Sequence, residues 1–448
     1  MGTREPTASP PDPMHSLLTA SSVLGALLCA GSALSPSANE PVETHWPNGQ
    51  LRERYALNEE GERSGPYQSW YEDGARHVRS RYRNGVLDGA YDSWHPDGER
   101  WVETGYKRGQ LHGRYEERFA ESELELEGRY KNGAADGVFE LRDDGDLILV
   151  QEWDEGLLEE LDGVRAHPRE GAELFEGLDA ILRDRSPASE DALELERDAA
   201  LARLQQYRYL CGVPWDELRR DETFEAHAQA GAELCQRIGR LSHTPDNPGM
   251  DEDEYRFAYR GTSSSNLSMG PGIPGSIDNY MDDSDPSNID RVGHRRWCLN
   301  PPMRKTGFGK AGRFSAMWSF DASGGGSHSE PILYPPAGYV PTDMFGAHYA
   351  WSALLPGGRG RNIAMEELSI QIQALDERYL PMGEPLELNY LTRTNGMLIF
   401  RPSGLVVEPG ARYLARLEGL PKSGGETELV WLVEFTQAEA FEGESGAN

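Results

Sequence analysis

The feature that most constrains the fold of this chain is a repeat of 24 residues in its amino-terminal third. Four glycines with this spacing are each followed, two residues later, by an aromatic side chain: Gly65–Tyr67, Gly89–Tyr91, Gly113–Tyr115 and Gly137–Phe139. A second aromatic residue and a second glycine recur in register as Tyr82–Gly85, Tyr106–Gly109 and Tyr130–Gly133. Asn-Gly between two short aromatic runs is typical of a β-hairpin. Since one hairpin alone is marginal in water, the repeat predicts hairpins that stack through their aromatic residues over residues 44–160.

The repeat pattern resembles MORN-like repeats. We expect its aromatic side chains to form the spine of an elongated β-meander, and the functional alternative is a docking face for another protein or a lipid surface. The chain has 448 residues, with 44 Lys and Arg against 75 Asp and Glu, and a formal charge of −31. This acidity argues against attraction to anionic lipid and excludes a nucleic-acid binder. A protein partner is therefore the better prediction for the repeats.

The amino terminus has the pattern of an export signal. An apolar stretch from Leu17 to Ala30 is followed by small residues, and it is interrupted by Ser, Thr and Gly, which is unusual for a membrane-spanning helix. We interpret residues 1–43 as a signal peptide and disordered tether. The prediction is an exported protein in the periplasm, at the cell surface or secreted; the alternative is an N-terminal membrane anchor.

The pattern changes from alternation to helical spacing after an acidic joint. We interpret residues 161–189 as a linker helix and residues 190–325 as a separate domain. Ala200, Leu204, Tyr207 and Cys211 lie on one face of a first helix, and Phe224, Ala228, Gly231, Cys235 and Ile238 lie on one face of a second helix. Cys211 and Cys235 are expected to be buried as small hydrophobic residues, with a disulfide as the alternative. The pairing state of Cys298 is left open.

Several short motifs follow these helices in a fixed order. They are Leu241-Ser242-His243, Ser264-Ser265-Asn266-Leu267, Asn279-Tyr280-Met281-Asp282-Asp283, Gly293-His294-Arg295, Asn300-Pro301 and Gly307-Phe308-Gly309. This order resembles the CAP superfamily, the cysteine-rich secretory and pathogenesis-related (SCP-like) domain, in its bacterial form. The resemblance implies an α-β-α sandwich over residues 190–325. It also implies a cleft with two His, here His243 and His294, and two acidic side chains.

The cleft that the resemblance implies is incomplete in this sequence. Ser265 stands where the family has Glu, beside a retained Asn266, and Asp282 and Asp283 lie near the other acidic position. Two imidazoles with a third ligand from Asp282 or Asp283 could hold a divalent metal such as Zn²⁺ at His243 and His294. Without the Glu, the general base that a hydrolase needs is missing. The alternative is that both His form hydrogen bonds with neighbours and line a groove.

Two further patterns near the second His were considered. A Ser-His-Asp set of Ser265, His243 and Asp283 can be written, but no Gly-x-Ser-x-Gly turn surrounds the serine. Arg295, Arg296 and Trp297 are candidates for an anion or partner contact, although Trp297 also fits a packing position beneath the cleft. We therefore assign no catalytic residue from the sequence.

The last third of the chain returns to alternation. Residues Ser323 to Ser327 (SGGGS) have the composition of a flexible joint. Beyond them, alternating apolar residues separated by Asn395-Gly396, Pro409-Gly410 and Gly424-Gly425 predict a small β-sandwich over residues 331–437. Pro409-Gly410 before Tyr413 resembles the immunoglobulin-like (Ig-like) modules of exported bacterial proteins. Residues 438–448 are expected to be a disordered tail.

The sequence thus predicts a multidomain α+β protein with a β-hairpin repeat array, an α-β-α CAP-like domain and a C-terminal β-sandwich. At about 150 residues per domain, the length fits roughly three domains with separate cores. The predicted function is extracytoplasmic binding, either of a protein partner through the repeats or the cleft, or of a small apolar, lipid or sterol-like ligand. The alternative is a divalent-metal-dependent hydrolase or peptidase that uses the His pair. A cytoplasmic role, as in toxin-antitoxin-like proteins with similar repeats, is disfavoured by the apolar amino terminus.

Overall fold

The computed structural model describes residues 41–183, 191–326, 328–421 and 427–441. Within these ranges the chain is a mixed α+β protein with several separate sheets, and it divides at residue 110 into two compact units, whose described residues begin at 41 and at 111. The predicted signal peptide lies outside the described residues, whereas residues 41–43 of the predicted tether belong to the first strand. No helix in the described ranges has the length and apolar character needed to cross a membrane.

The described part of the first unit is an antiparallel meander of sequential strands. Its strands are β1 Pro41–His45, β2 Leu51–Leu57, β3 Arg63–Trp70, β4 Arg76–Arg83, β5 Val86–Trp94 and β6 Arg100–Lys107. Asn84 and Gly85, between β4 and β5, both have positive φ (47° and 81°). This is the backbone of a type I′ turn, whose twist matches that of the flanking strands. The Asn-Gly signal in the sequence therefore marks a hairpin, as predicted.

The repeat places each leading glycine opposite the second aromatic residue of its unit. In the first unit Gly65 pairs with Tyr82 and Gly89 with Tyr106 across neighbouring strands. The glycines have φ of 100° and 130°, which side-chain-bearing residues rarely adopt. Each tyrosine packs edge-on against the aromatic residue two positions after the glycine, with ring centroids of Tyr67 and Tyr82 5.5 Å apart. The glycine-aromatic spacing is thus a cross-strand packing pattern.

The second unit begins with strands of the same kind. They are β7 Gln110–Arg118, β8 Leu124–Lys131, β9 Ala134–Ala135, β10 Gly137–Asp143, β11 Asp146–Asp154, β12 Leu157–Leu161 and β13 Val164–Arg165. Gly113 again pairs with Tyr130, and Gly137 with Trp153. These strands pack on the C-terminal part of the chain. The Gln151 amide donates to the carbonyl of Arg378 at 2.9 Å, and Arg378 forms an ion pair of 2.6 Å with the buried Glu117.

Six α-helices and a small sheet form the middle of the second unit. The helices are α1 Gly171–Arg183, α2 Ala192–Leu210, α3 Glu222–Ile238, α4 Glu252–Ser263, α5 Gly272–Asp282 and α6 Gly293–Cys298; the strands are β14 Arg219–Arg220, β15 Ser265–Met269, β16 Lys305–Thr306, β17 Phe308–Ala311 and β18 Phe314–Trp318. Strands β15, β18 and β17 form an antiparallel sheet in that order. Helices α3 and α4 pack together on the sheet, and α2 packs with α5, which also contacts it. The described elements therefore form helical layers around a three-stranded sheet.

Local signals explain where the helices begin and end. Asp191, Asp221 and Asp251 each accept hydrogen bonds from backbone N–H groups in the first turn of α2, α3 and α4. Gly239 ends α3 in the left-handed conformation. The residues that the helical spacing placed on one face of α2, among them Leu204 and Tyr207, are buried. Cys211, Cys235 and Cys298 are buried free thiols.

The C-terminal part contains two four-stranded sheets. Their strands are β19 Ile332–Tyr334, β20 Gly338–Pro341, β21 Trp351–Leu354, β22 Ser369–Leu375, β23 Leu388–Thr394, β24 Met397–Pro402, β25 Arg412–Glu418 and β26 Glu428–Thr436. One sheet has the order β19-β21-β24-β23 and the other the order β20-β26-β25-β22. The ring centroids of Trp351 in the first sheet and Trp431 in the second lie 6.1 Å apart in the core between the two sheets. The two sheets therefore pack face to face as a β-sandwich.

The helical part and the sandwich share one hydrophobic core. Leu174 of α1, Tyr207 of α2 and Ile277 of α5 belong to the same buried cluster as Trp351 and Phe435 of the sandwich. This differs from the expectation of separate cores. In the predicted joint, Ser323 to Gly326 are described: the Gly324 N–H donates to the carbonyl of Pro302 at 2.8 Å, so part of that segment is fixed. The Gly- and Ser-rich composition of this segment is typical of a flexible linker, and the sequence of five residues does not show which parts of the folded chain they contact.

Candidate functional site

The candidate site lies where four elements of the helical part meet. His243 follows α3, Ser265 and Asn266 open β15, Asp282 and Asp283 end α5, and His294 lies in the first turn of α6. The imidazole centroids of His243 and His294 are 6.4 Å apart. The two His, Ser265 and Asn266 line one cavity of about 470 Å³. The structure thus brings together four of the six predicted cleft residues.

His243 is oriented by a backbone carbonyl. Its Nδ1 lies 2.9 Å from the carbonyl oxygen of Thr262, near the end of α4. Because a carbonyl can only accept, Nδ1 carries the proton in a neutral ring, and Nε2 keeps its lone pair. The Thr262 hydroxyl lies 2.9 Å from the carbonyl oxygen of Tyr259 and 3.3 Å from that of His243, so its one proton is shared between two acceptors. The short segment after α3 is therefore held against α4 with the imidazole in one tautomer.

His294 is oriented by Asp283. The carboxylate accepts hydrogen bonds from His294 Nδ1 and from the His294 backbone N–H, both at 2.8 Å, and from the Arg295 N–H at 3.3 Å. The Asp283 side chain is only 1% exposed, so its carboxylate is shielded from water. Here too Nδ1 donates, which leaves Nε2 of a neutral His294 as an acceptor. Asp283 therefore holds His294 in position through its Nδ1 and its backbone N–H, and Asp283 itself does not line the cavity.

The neighbouring Asp282 has different partners. Its Oδ2 lies 3.1 Å from Nε2 of His348, a residue from the C-terminal part of the chain, and it does not line the cavity. The adjacent residues Asp282 and Asp283 at the end of α5 thus contact two different His side chains, those of His348 and His294. The sequence left the choice between Asp282 and Asp283 open, and in the structure Asp283 is the one that forms a hydrogen bond with His294.

A buried arginine anchors this region to the sandwich. Arg295 is fully buried and donates to the carbonyls of Met281, Asp282 and Ala350 and to the Ser352 hydroxyl. Burial lowers the pKa of Arg295, while nearby Tyr334, Asp283 and Asp282 act in the opposite direction. The expectation that Arg295 contacts an anion or partner is therefore wrong, because all its contacts are internal.

Further hydrogen bonds fix the floor of the site. The Asn266 amide donates to the carbonyl of His294 at 3.0 Å, and the Tyr280 hydroxyl donates to the carbonyl of Asn266 at 3.0 Å. Burial raises the pKa of Tyr280, so its hydroxyl stays protonated and remains a donor. The Tyr280 ring lies 5.3 Å from that of His294. Asn266 and Tyr280 therefore position the turn that carries His294.

Two polar atoms of the site residues lack a partner among the described residues, the Ser265 hydroxyl and Oδ1 of Asp282, and of these two residues only Ser265 lines the cavity. The Ser265 hydroxyl is buried and has no hydrogen-bond partner in the described part of the chain, although the residue lines the cavity. It does not bond to either His, so the described structure forms no Ser-His-Asp triad. A buried hydroxyl without a partner costs free energy, roughly 1–3 kcal/mol. A molecule in the cavity could supply the missing bond.

The donor set fits a metal only in part. Both His have the outer-shell bonds that commonly orient metal ligands, one to a carbonyl and one to a carboxylate. Among the described residues, however, neither His belongs to a group of three or more candidate ligands within 4.8 Å of one another. A catalytic zinc site usually has three protein ligands. The site therefore offers two ligands and lacks the third one expected from Asp282 or Asp283.

Sequence reasoning missed part of the cavity wall. The missed residues are Arg291, Phe320 and the serines Ser242, Ser263 and Ser319, whereas Arg296 and Trp297, which also line the cavity, were already named as contact candidates. The Trp297 and Phe320 rings are 4.4 Å apart. The sequence signal for Arg291 was the basic run from Arg291 to Arg296 in an otherwise acidic chain, of which only Arg295 and Arg296 were named as contact candidates.

An acidic cluster lies elsewhere in the second unit. Glu116, Glu125 and Glu127 bring carboxylate oxygens within 4.8 Å of one another. Arg114 and Arg118 form ion pairs with them. The cluster is thus neutralised in part by its own strand neighbours, and it is distinct from the His cavity.

A scan of protein-family models gives no match to this chain, and a search of curated proteins gives no significant match.

Proposed function

We propose that this protein acts by binding a small organic ligand in the cavity of His243 and His294, within a CAP-type domain. The observation that carries the proposal is the buried Ser265 hydroxyl, which lacks a partner in the described residues and lines a cavity of about 470 Å³. Small-ligand sites have volumes of about 300–1,000 Å³, apolar walls and a few polar groups that converge. The lining of this cavity combines aromatic rings with imidazole, amide and hydroxyl groups.

Two features of the fold support the CAP-type assignment. The motifs that carry the resemblance are brought to one place, with the two His facing one cavity. The helices also pack around a three-stranded sheet, as the α-β-α sandwich of that family requires. The absence of the family's Glu at Ser265 favours binding over turnover, because no carboxylate among the described residues lines the cavity as a general base.

The test of ligand binding is a fragment screen read at the site itself. Ligands should shift the imidazole NMR signals of His243 and His294 in the full chain. Leu241→Trp places a bulky ring at the cavity wall and should abolish these shifts. Leu195→Trp on α2, also partly exposed and outside the cavity, is the matched control and should keep them. Shifts that persist in Leu241→Trp, or no shifts from any fragment, would contradict the proposal.

A metal-dependent hydrolase or peptidase is the second candidate. It is supported by the two Nδ1 donors, which leave both Nε2 atoms as acceptors toward one cavity. The experiment is elemental analysis of the purified protein beside His243→Ala/His294→Ala. Near-stoichiometric zinc that is lost in the variant would favour the hydrolase. Protein free of metal in both forms would leave ligand binding as the function.

We also propose an Ig-like identity for the sandwich. Its strand orders, read as A-B-E-D and A′-G-F-C, fit the immunoglobulin arrangement. The Tyr413 hydroxyl accepts from the N–H of Val406 and donates to its carbonyl, at 2.9 and 3.0 Å, as in a tyrosine corner. Among its described residues the sandwich contributes none to the cavity of the site, and we propose that it acts as a scaffold.

We propose that the MORN-like repeats bind a protein partner outside the cytoplasm. Aromatic residues of the repeats such as Tyr91 and Tyr115 are buried as the spine of the array, whereas Val86 is a large apolar residue exposed on the first unit. The acidic composition disfavours nucleic acid and anionic lipid. A pull-down with residues 41–448, compared with residues 111–448, tests the first unit. Export is tested by locating the full-length protein after cell fractionation and by sequencing its amino terminus. Uncleaved protein in the cytosolic fraction would contradict it.

A further inference from the structure

The His cavity has a cationic wall in a strongly acidic protein. Arg291 and Arg296 both line it, and neither forms an ion pair within the described residues. No Asp or Glu of the described chain lines this cavity. Acidic residues outnumber basic ones by 75 to 44 in the whole chain. The charge of this wall is therefore positive, whereas the net charge of the protein is negative.

The two arginines repel each other across this wall. Burial lowers the pKa of Arg296, and the charge of Arg291 lowers it further. Such a pair of like charges is destabilising unless an anion lies between them. Arginine also presents a planar fork of donors that suits carboxylate and phosphate oxygens. Arg291 donates to two neutral acceptors, the Ser287 carbonyl and Oδ1 of Asn288, at 3.5 Å, and the Arg296 guanidinium lies over the Trp297 ring. No anion of the described residues balances either charge, so the wall has the sign of an oxyanion site.

The remaining wall suits an apolar group. Trp297 and Phe320 lie 4.4 Å apart, and Phe320 is 50% exposed although it is a large apolar residue. The Ser265 hydroxyl adds a polar group to the lining of the same cavity, and it is buried without a partner in the described residues. The missing hydrogen-bond partner of this hydroxyl supports a bound ligand independently of the charge of the two arginines. An amphipathic molecule would satisfy both walls at once.

From these observations we infer that the ligand of this cavity is an organic oxyanion, a carboxylate or phosphate on an aromatic or similarly apolar body. Arg291 and Arg296 would bind the oxyanion, Ser265 would donate to it or to a neighbouring oxygen, and Trp297 with Phe320 would cover the apolar body. This inference rests on the proposed ligand-binding function and narrows its ligand class. It differs from the sterol-like ligand expected from the family resemblance, because an uncharged sterol brings no negative charge to either guanidinium group.

The test uses calorimetric titration of the full chain with four probes. They are phenylacetate, its neutral isostere phenylacetamide, phenyl phosphate and inorganic phosphate. We expect phenylacetate or phenyl phosphate to bind at least tenfold more tightly than phenylacetamide, because charge-assisted hydrogen bonds are about twice as strong as neutral ones. Phenyl phosphate should also exceed inorganic phosphate, since the inorganic ion cannot use the aromatic wall. Comparison of the two organic anions distinguishes a carboxylate from a phosphate ligand.

Variants separate the charge from the fold. Arg291→Gln/Arg296→Gln should weaken binding of the organic anions at least tenfold and leave phenylacetamide unchanged. Arg219→Gln/Arg313→Gln removes the same charge from exposed positions outside the cavity and should bind normally. Equal binding of phenylacetate and phenylacetamide, or unchanged binding by the first variant, overturns the oxyanion inference. It does so without affecting the proposed function, which the fragment screen decides separately.

Discussion

Two adjacent aspartates show how much of this site is decided by single residues. Asp282 and Asp283 both end α5, but Asp282 contacts the exposed His348, whereas Asp283 is buried against His294. A carboxylate with three N–H donors around it replaces the hydration that it loses on burial. Asp283 therefore fixes both the tautomer and the position of His294, and it also balances the buried Arg295.

The first prediction concerns Asp283. Asp283→Ala removes the acceptor of two backbone N–H groups and of His294 Nδ1, and it removes a buried negative charge that acts on the buried Arg295. Breaking a buried charged pair costs about 3–5 kcal/mol, so we expect a loss of that order in the free energy of unfolding, measured with urea. Asp246→Asn changes an exposed carboxylate and should have little effect. A loss below about 1 kcal/mol would show that Asp283 is not structurally required.

The second prediction concerns the cysteines. Burial raises the pKa of the Cys211 thiol to about 12, and it also raises the pKa values of Cys235 and Cys298. Because the thiolate is the reactive form, these cysteines should resist iodoacetamide at pH 8 in the native protein and react in urea. Peptide mass spectrometry locates the label. Rapid labelling of Cys211 in the native state would contradict the burial of its thiol.

At the scale of elements, close approach between α3 and the three-stranded sheet depends on glycine. A Cβ added at Gly309 of β17 would lie 2.2 Å from the backbone nitrogen of Gln229 in α3, and one at Gly307 would lie 2.3 Å from that of Glu225. Backbone atoms cannot move aside as a flexible side chain can. The Gly307-Phe308-Gly309 motif is therefore needed for helix-sheet packing.

The third prediction follows from this packing. Gly309→Ala should separate α3 from β17 and lower the free energy of unfolding by about 2 kcal/mol or more, as overpacking of a close contact usually does. Gly293→Ala adds the same methyl group where only the side chain of Arg291 lies nearby, at 3.7 Å, and serves as the control. Thermal unfolding of the two variants measures the difference. Equal melting temperatures would contradict the close approach.

Elements with local signals could be predicted from the sequence, and the site could be predicted only in part. The hairpins follow from glycine and aromatic positions a few residues apart, and the buried faces of α2 and α3 follow from apolar spacing. The cleft residues His243 and His294 were found through motif order. The roles of Arg291, Phe320 and His348 depend on chain segments that meet only in the folded protein. Their side chains carry no local sequence signal for those contacts.

The whole second unit is tied together by buried polar contacts as well as by its core. Glu434 of β26 accepts hydrogen bonds from Tyr379 at 2.9 Å and pairs with His167 and Arg412 at 3.0 and 2.9 Å. His167 follows the last strand of the repeat sheet. Burial alone would raise the pKa of Glu434, but the His167 bond and the Arg412 charge outweigh it and lower the pKa.

The fourth prediction is a pH dependence with a definite sign. A carboxyl whose pKa is lower in the folded than in the unfolded chain stabilises the fold above the unfolded value, about 4.3, and this stabilisation is lost as the pH falls through the folded value. Glu434→Gln should therefore lose less stability than the wild type between pH 6 and pH 3, measured with urea. Glu366→Gln, at an exposed position, should follow the wild type. Parallel curves for Glu434→Gln and the wild type would contradict the shift.

The last prediction concerns the cooperativity of residues 111–448. Glu117 of β7, 4% exposed at its side chain, pairs with Arg378, whose carbonyl accepts from Gln151, so the repeat strands of this unit are fixed to the sandwich. The shared core of the helices and the sandwich should make the described part of this unit unfold in one transition. Arg378→Ala leaves Glu117 buried without its cation and should lower the free energy of unfolding by about 3 kcal/mol. Calorimetry of the chain from residue 111 onward should show one peak that moves to lower temperature in this variant. A separate peak for the repeat strands would mean that the contacts around Arg378 do not couple them to the sandwich.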